Sequence, residues 1–198
     1  MDLLIATTNP GKLREIHAIL DGAPVTLKTL ADFPGIEEPE ETGATFEENA
    51  RLKALYYAEA TGLLTAADDS GLEIDALGGA PGVHSARWHG SDYAVKFAKI
   101  RELLAAQNLT TSPARFVCAV ALARNGRIVH ETRGTIEGRI AEVAAGDKGF
   151  GYDPIFFYPP LGLTLGELDR DEKSRVSHRG KAFAALRQYL ISDSHLSL

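Results

Sequence analysis

The chain has little cysteine and no long apolar segment. Its single cysteine, Cys118, excludes an internal disulfide and a zinc site of the CxxC type. Cys118 lies in the apolar run 116–123, so we expect a buried thiol and not a nucleophile. The strongly apolar runs fall well short of the ~18 residues of a membrane-spanning helix, and the first residues lack the basic segment of a signal peptide. These features predict a cytoplasmic protein that does not bind a membrane.

An excess of positive charge is also lacking. The 198 residues include 21 Lys and Arg against 27 Asp and Glu, a net charge of −6, which disfavours nucleic-acid binding. Residues 32–48 hold seven carboxylates and no Lys or Arg, whereas basic side chains cluster between 170 and 181. These two stretches could be solvated faces, or an acidic metal-binding wall and a basic polyanion-binding wall of one cleft.

The order of sequence patterns predicts an α/β fold. The length favours one two-lobed domain over 1–198, in which we expect the tail 192–198 to be frayed. Apolar and turn patterns alternate early, and a hairpin with Asn125-Gly126 at its turn comes late, which together predict a mixed sheet flanked by helices. The expected strands are 3–7, 25–30, 63–67, 115–124, 127–135 and 155–157, and the expected helices are 10–21, 46–60, 92–106 and 177–191.

The segment Thr7-Thr8-Asn9-Pro10-Gly11-Lys12 joins the first strand to the first helix. Asn9 is a typical N-cap and Pro10 a typical first helical residue. The free N–H groups of such a helix start suit a phosphate, and a phosphate would offset the unfavourable position of Lys12 near the positive helix end. An ordinary capped helix start explains the segment equally well.

Two adjacent carboxylates, Asp68 and Asp69, are expected where the short strand 63–67 gives way to a turn. Paired carboxylates repel each other unless a cation is present, and magnesium takes one or two carboxylates together with water and substrate phosphates. Glu40 and Glu41 of the acidic segment could complete such a site. The alternative is a solvated junction between strand and turn.

Two further segments could bind a ring or an anion. Glycines flank aromatic residues in 149–154, which lets a purine lie flat against the backbone, although a tight turn with core aromatics has the same composition. If Ser177 caps the last helix, His178 and Arg179 occupy its first turn, where cations favour an electronegative partner. A structural role for His178 is about equally consistent with the pattern.

Six blocks occur in a fixed order and together resemble the family of non-standard purine nucleoside triphosphate pyrophosphatases, which includes the inosine triphosphate pyrophosphatases. The resemblance spans residues 4–190 and implies a long mixed sheet, with two lobes around an active-site cleft, a homodimer and a magnesium cofactor. It implies hydrolysis of ITP, dITP and XTP to the monophosphate and pyrophosphate. The blocks are 7–12, 40–50, 67–72, 77–87, 149–156 and 172–182.

The resemblance also assigns roles by position. It implies that Asp69 is the general base with Asp68 beside it, that Lys53 supports the phosphates, and that Glu40 and Asp69 bind the metal. Thr8 departs from the family pattern, which often has Gly or Ser there. The substrate-binding residues implied are Thr7, Thr8, Asn9, Pro10, Gly11 and Lys12 for the triphosphate, and Ser70, Phe150, Gly151, Tyr152, Asp153, Lys173, His178 and Arg179 for the nucleoside.

Two other functions remain open at this point. One is a pyrophosphatase for pyrimidine or other modified nucleotides, which would differ in the base pocket. The other is a nucleotide-binding module without turnover, although Asp68, Asp69, Glu40 and Lys53 are all present. For the purine function, we expect Arg179 and His178 to donate hydrogen bonds to the 6-oxo group that distinguishes ITP and XTP from ATP.

Overall fold

A computed structural model describes residues 1–192. Apart from Ser192, the tail that we expected to be frayed lies outside the described residues. No helix in this described part is long and apolar enough to cross a membrane. The elements in chain order are β1 (Asp2–Ile5), α1 (Pro10–Ile19), β2 (Thr26–Thr29), α2 (Phe46–Thr61), β3 (Leu64–Ile74), α3 (Tyr93–Ala105), β4 (Pro113–Arg124), β5 (Arg127–Ile140), β6 (Phe156–Tyr158), β7 (Leu163–Thr164), α4 (Arg170–Val176) and α5 (His178–Ser192).

The strands form one mixed sheet in the order β2-β1-β3-β4-β5-β6-β7. β1 pairs in parallel with β2 and with β3, whereas β6 is antiparallel to β5 and to β7. Asn125 and Gly126 join β4 to β5 with φ values of 52° and 72°, as a type I′ turn requires. The predicted α/β class with a mixed central sheet flanked by helices is therefore confirmed.

The helix starts follow from their capping residues. The Asn9 side chain accepts hydrogen bonds from the N–H groups of Gly11 at 2.8 Å and Lys12 at 3.1 Å, and Pro10 is the first residue of α1. Thr45 and Glu48 form the predicted capping box of α2. Each such cap stabilises its helix by ~1 kcal/mol. Sequence alone therefore located both helix starts correctly.

Two elements near functional residues differ from the prediction. β3 does not end at Ala67 but continues to Ile74, so the prediction of a turn at Asp68–Gly71 was wrong. The carboxylates stay in a buried strand because cations from neighbouring elements neutralise them, which overrides the weak strand propensity of aspartate. A short helix, α4, was not predicted; it ends at Val176, and its C-cap Ser177 is followed directly by α5.

The chain divides into two compact units. Among the described residues, unit 1 comprises 1–69, 118–134 and 178–192, and unit 2 comprises 70–117 and 135–177. Cys118 is fully buried in the core of unit 1, as expected. A single domain with a cleft stays a prediction. The core of unit 1 is Leu3, Ile5, Ile16, Leu20, Leu64, Ala66, Cys118, Val120, Leu122, Ala182, Phe183, Leu186 and Leu190, and that of unit 2 is Leu72, Ile74, Ile100, Leu104, Ala114, Phe116, Ile136, Ile140, Tyr152, Ile155, Phe156, Leu165 and Leu168.

Candidate active site

The topology of unit 1 marks a binding position beside β1 and β3. The chain leaves β1 through α1 to β2 on one side, then passes through α2 to β3 on the other side of β1. In parallel α/β sheets, ligands bind outside the carboxyl ends of the strands where the strand order reverses in this way. The segment Thr7–Lys12 follows β1, and β3 carries Asp68 and Asp69 two and three residues beyond Ala66, the register partner of Ile5. The candidate phosphate segment and the carboxylates therefore meet at this reversal.

Asp68 and Asp69 face opposite sides of the sheet, because successive side chains of a strand alternate. Asp68 is 2% exposed, and its Oδ2 lies 2.9 Å from Lys12 Nζ of α1 and 3.5 Å from Arg179 Nη2 of α5. Burial raises the pKa of Asp68, but the attraction of Lys12, Arg179 and Lys53 outweighs it and holds the pKa well below its usual range. Asp68 therefore stays ionised and is unsuited to taking up a proton.

Asp69 faces α2 and has a different environment. It is 5% exposed; Asn49 Nδ2 donates to its Oδ2 at 3.1 Å, and Lys53 Nζ lies 3.4 Å from its Oδ1. Burial raises the pKa of Asp69, and the opposing attraction of Lys53 and Lys12 does not cancel this rise. A carboxylate with a raised pKa is the better proton acceptor of the two.

Lys53 is held between two carboxylates. Its Nζ lies 2.5 Å from Glu41 Oε1 as well as 3.4 Å from Asp69. Burial lowers the pKa of Lys53, but the nearby charges of Asp69, Asp68 and Glu41 outweigh it and raise the pKa. Lys53 is therefore a fixed cation beside Asp69. Glu40, the expected metal ligand, is exposed, whereas its neighbour Glu41 makes the contact with Lys53.

Two polar residues of unit 1 that contact the predicted site residues were not predicted from the sequence. Glu15 Oε2 accepts from Arg179 Nη1 at 2.7 Å, and nothing in the sequence connects residues 164 positions apart. Asn49 is fully buried; its amide donates to Asp69, and its Oδ1 accepts from the N–H of Gly43 at 2.8 Å. The spacing of Asn49 and Lys53, one turn apart on α2, was a usable signal for a shared face.

In the segment after β1, Gly11 is buried and several other residues are exposed. Thr8, Asn9 and Pro10 are exposed, and Thr7 Oγ1 accepts from the N–H of Asn9 at 3.2 Å. Thr8, the departure from the family pattern, donates through Oγ1 to Glu38 Oε1 at 3.4 Å. Lys12 was expected to need a ligand phosphate at the helix start, but Asp68 already neutralises it. Its ammonium has three donors, so a second acceptor is still possible.

The aromatic segment and Lys173 lie together in unit 2. Asp153 Oδ2 accepts from the N–H of Phe150 at 2.7 Å and from Lys173 Nζ at 2.6 Å, and Nζ lies 4.6 Å from the centre of the Phe150 ring. A Cβ on Gly149, whose φ is +75°, would lie 2.2 Å from this same carboxylate oxygen, so a side chain there would strain the backbone and displace Asp153. Asp153 therefore fixes the turn that presents Phe150 and Gly151.

The remaining expected site residues are placed as follows. Ser70 is half-buried in β3, Tyr152 is buried in the core of unit 2, and His178 is buried at the first position of α5. The Arg179 side chain is 2% exposed and two of its nitrogens contact Glu15 and Asp68. Its expected hydrogen bond to a base stays a prediction, and the structure gives it a second role as the counterion of Asp68.

Fold and site together define an α/β protein equipped for phosphate chemistry, with lysines and carboxylates at the reversal point of a mixed sheet. The chain belongs to the Ham1 family, whose model matches residues 3–189. It is 48% identical over 194 residues to a dITP/XTP pyrophosphatase from an Exiguobacterium species, covering 96% of this chain and 97% of that protein. A dITP/XTP pyrophosphatase from Thermus thermophilus is 47% identical over 191 residues, covering 94% and 90%.

A solved structure confirms the fold assignment. The HAM1 protein from Coxiella burnetii superposes with a TM-score of 0.90 at 39% identity, over 98% of this chain and all of that one. The family resemblance seen in the sequence is therefore confirmed at the level of both sequence and fold.

Proposed function

We propose that this chain hydrolyses non-standard purine nucleoside triphosphates, with ITP, dITP and XTP as substrates, to the monophosphate and pyrophosphate. The observation that carries the proposal is the pair Asp68 and Asp69 at the reversal point of the sheet. Lys12 and Arg179 contact Asp68 and lower its pKa, whereas Asp69 contacts Asn49 and Lys53, and burial raises its pKa. Neighbouring carboxylates with separated pKa values are a sign of divided acid–base roles. The names of the relatives support the choice of substrate.

The triphosphate is assigned to the segment Thr7–Gly11 together with Lys12 and Lys53. The N–H groups of Gly11 and Lys12 are bound by Asn9 Oδ1, so the start of α1 contributes the positive end of its helix dipole, and Lys12 adds a cation that Asp68 holds in place. Lys53 is held by Glu41 and Asp69, so its charge is pre-oriented before substrate arrives. Fixed cations of this kind stabilise the charge that develops on a leaving pyrophosphate.

Asp69 is assigned as the general base that takes a proton from the attacking water. Asn49 and Lys53 fix the two carboxylate oxygens, and burial raises the pKa toward the range in which a carboxylate accepts a proton efficiently. Asp68 does not compete for the proton, because Lys12 and Arg179 keep it ionised. Its role is to hold Lys12 toward the phosphates.

Magnesium is the proposed cofactor, held by Asp69 and Glu40. Within residues 1–192, no group of three or more His, Cys, Asp and Glu side chains forms a metal cage. Magnesium fits nonetheless, since it takes one or two carboxylates and completes its shell with water and substrate phosphates. Lys53 already lies between Asp69 and Glu41, so magnesium would act beside this cation, with Glu40 as the further carboxylate. When bound, magnesium neutralises the triphosphate and makes a coordinated water more acidic.

The nucleoside is assigned to Ser70, Phe150, Gly151, Tyr152, Asp153, Lys173 and His178, and Arg179 is assigned to the support of the site as the counterion of Asp68. Phe150 offers a half-buried ring for stacking, and Gly151 leaves the adjacent backbone open. Lys173 is oriented by Asp153 and presents an ammonium over that ring. An oxo group on a purine would accept from such a donor, whereas an amino group would not.

A panel of nucleoside triphosphates tests the proposal. Purified protein with magnesium is incubated with dITP, XTP, ITP, dUTP, ATP and GTP, and products are separated by ion-exchange chromatography. We expect monophosphate and pyrophosphate from dITP, XTP and ITP. Orthophosphate as the first product, or a preference for dUTP, would contradict the proposal, and binding without turnover would indicate the nucleotide-binding module.

We also propose a homodimer in the cytoplasm, as the family resemblance implies. Light scattering coupled to size exclusion tests the assembly, with a mass of twice 21.3 kDa expected. A monomer mass at micromolar concentration would contradict it.

A further inference from the structure

Lys96 is a buried cation that the proposed reaction does not use. It lies on α3 in unit 2 and is 0% exposed. Its Nζ donates to two main-chain carbonyl oxygens, of Ser85 at 3.1 Å and of Ala86 at 2.7 Å, and lies 4.2 Å from the centre of the Tyr93 ring. Burying an ammonium group costs free energy. The two carbonyl oxygens and the face of the Tyr93 ring offset part of this cost for Lys96, which suggests that the charge at this position has a function.

Ser85, which receives this hydrogen bond, connects several elements of unit 2. Its carbonyl oxygen also accepts from the Tyr152 hydroxyl at 3.0 Å, while its Oγ donates to the carbonyl of Gly82 at 2.6 Å. The same Oγ accepts from the N–H of Leu72 in β3 at 2.9 Å. Ser85 thus fixes the loop 82–88 to β3, to α3 and to Tyr152.

Tyr152 carries this connection into the aromatic segment. Its ring packs edge-on against Tyr93 with centres 5.1 Å apart, and Tyr93 is the ring beneath Lys96. Tyr152 stands between Gly151 and Asp153, and Asp153 orients both Phe150 and Lys173. The block 77–87 of the sequence, which had no role in the reaction, is therefore joined to the proposed base-binding segment by hydrogen bonds.

We propose that Lys96 and Ser85 are positioning residues for base recognition: they fix Tyr152 and thereby hold Phe150, Asp153 and Lys173 ready for the purine. This inference rests on the proposed function. The residues that support base recognition are separate from those of the phosphate chemistry. Every residue in this network belongs to unit 2, whereas the phosphate chemistry is assigned to residues of unit 1, namely Lys12, Lys53, Asp68 and Asp69.

The test compares Lys96→Met with Lys99→Met, a matched change on the same helix. Lys99 is a surface residue that pairs with Glu102 and serves as the control. Lys96→Met keeps an unbranched side chain one atom shorter than lysine but loses the charge and both hydrogen bonds. We expect KM for dITP to rise about 10-fold with kcat nearly unchanged, since loss of hydrogen bonds from a charged donor has about this effect. Lys99→Met should match the wild type.

Two binding measurements separate positioning from general damage. Titration with dIMP should show about 10-fold weaker binding to Lys96→Met, whereas inhibition by inorganic pyrophosphate should be unchanged. The single tryptophan, Trp88, lies next to the loop's Arg87 and packs against the core of unit 2, so its emission reports the position of the loop. We expect a shifted emission maximum in Lys96→Met and none in Lys99→Met.

Tyr152→Phe is a second variant that tests the positioning role if Lys96→Met fails to fold. It removes only the second donor to the Ser85 carbonyl, and a double variant should be non-additive because both donors share one acceptor. Equal losses for dIMP and pyrophosphate, or wild-type dIMP binding with unshifted emission, would overturn the positioning role. Failure of the wild-type protein to convert dITP to dIMP and pyrophosphate would instead overturn the proposed function.

Discussion

Asp68 and Asp69 are chain neighbours, yet the two faces of β3 give them opposite properties. On one face, α1 and α5 supply Lys12 and Arg179, and the pKa of Asp68 falls below its usual range. On the other face, α2 supplies Asn49 and Lys53, and burial raises the pKa of Asp69. The difference shows that the protonation behaviour of a carboxylate is decided by the helix packed against it and not by its place in the motif.

The comparison also separates two kinds of buried charge. Asp68 belongs to a set in which two cations, Lys12 and Arg179, face two carboxylates, Asp68 and Glu15. Such a set is stable as a whole, and removing one member leaves an uncompensated charge. Asp69 has fewer charged partners than Asp68, so ionisation of its buried carboxyl group costs more free energy. The first arrangement suits a structural support and the second suits a group that changes protonation during a reaction.

The largest expected effect follows from removing the base. Asp69→Asn keeps the size of the side chain but cannot accept a proton, so we expect kcat for dITP to fall by about 10²–10⁴-fold. Nucleotide binding, measured by titration with dIMP, should change far less. Retention of more than about a tenth of wild-type kcat, which is well outside this range, would move the base role to Glu40 of the acidic segment.

Asp68→Asn should mainly affect stability. It leaves Lys12 and Arg179 with one less negative partner, and breaking a buried ion pair in this way costs about 3–5 kcal/mol of unfolding free energy. Urea unfolding at pH 7 measures the loss, with Asp69→Asn as the matched comparison. If Asp68→Asn unfolded at the wild-type midpoint, the set of four charges would not support the fold.

Arg179→Gln tests whether the guanidinium reads the base. Because its nitrogens contact Glu15 and Asp68, we expect kcat/KM to fall by a similar factor, about 10-fold, for every nucleotide. The ratio of kcat/KM for ITP over ATP should then stay constant. A narrowed ratio would support the alternative expected from the sequence, in which Arg179 donates to the 6-oxo group.

The two carboxylates should give stability a different dependence on pH. A raised folded-state pKa means that Asp69 contributes stability below about pH 3.9, the value in the unfolded chain, and loses it as pH rises through the folded pKa. Asp69→Asn should therefore lack this part of the fall in melting temperature as pH rises, measured in EDTA so that no metal contributes. Asp68 has the opposite effect. Its folded-state pKa is lowered, so its contribution to folding stability is present above about pH 3.9 and is lost as pH falls. The same dependence of melting temperature on pH in Asp69→Asn and wild type would contradict the direction assigned to Asp69.

The smallest effect concerns Cys118. Its thiol is buried and lies 3.7 Å from Asp68 Oδ2, and burial together with that negative charge raises its pKa. We expect the native protein to resist alkylation by iodoacetamide at pH 8, and to react fully once unfolded in guanidinium. Rapid labelling of the native protein, read by mass spectrometry, would show that the face around Asp68 opens in solution.

The sequence by itself determined the local structure and the family. Helix caps such as Asn9 and Thr45, and the turn at Asn125-Gly126, depend on a few adjacent residues, so their positions could be predicted from the chain alone. The ordered blocks identified the family because they preserve residue types at fixed spacings. The resemblance assigned the base role to Asp69 by position, but the residue types gave no physical reason for it, because both residues are aspartates in one motif.

Only the tertiary structure decided what each charge does. The continuation of β3 through Asp68 and Asp69 depends on lysines that α1 and α2 bring to opposite faces, and a local pattern read this stretch as a turn. The pairing of Arg179 with Glu15 links residues 164 positions apart, and Lys96 binds carbonyls that carry no signal in the sequence. Burial and long-range electrostatics depend on the packed positions of distant residues, and those positions exist only once the chain has folded.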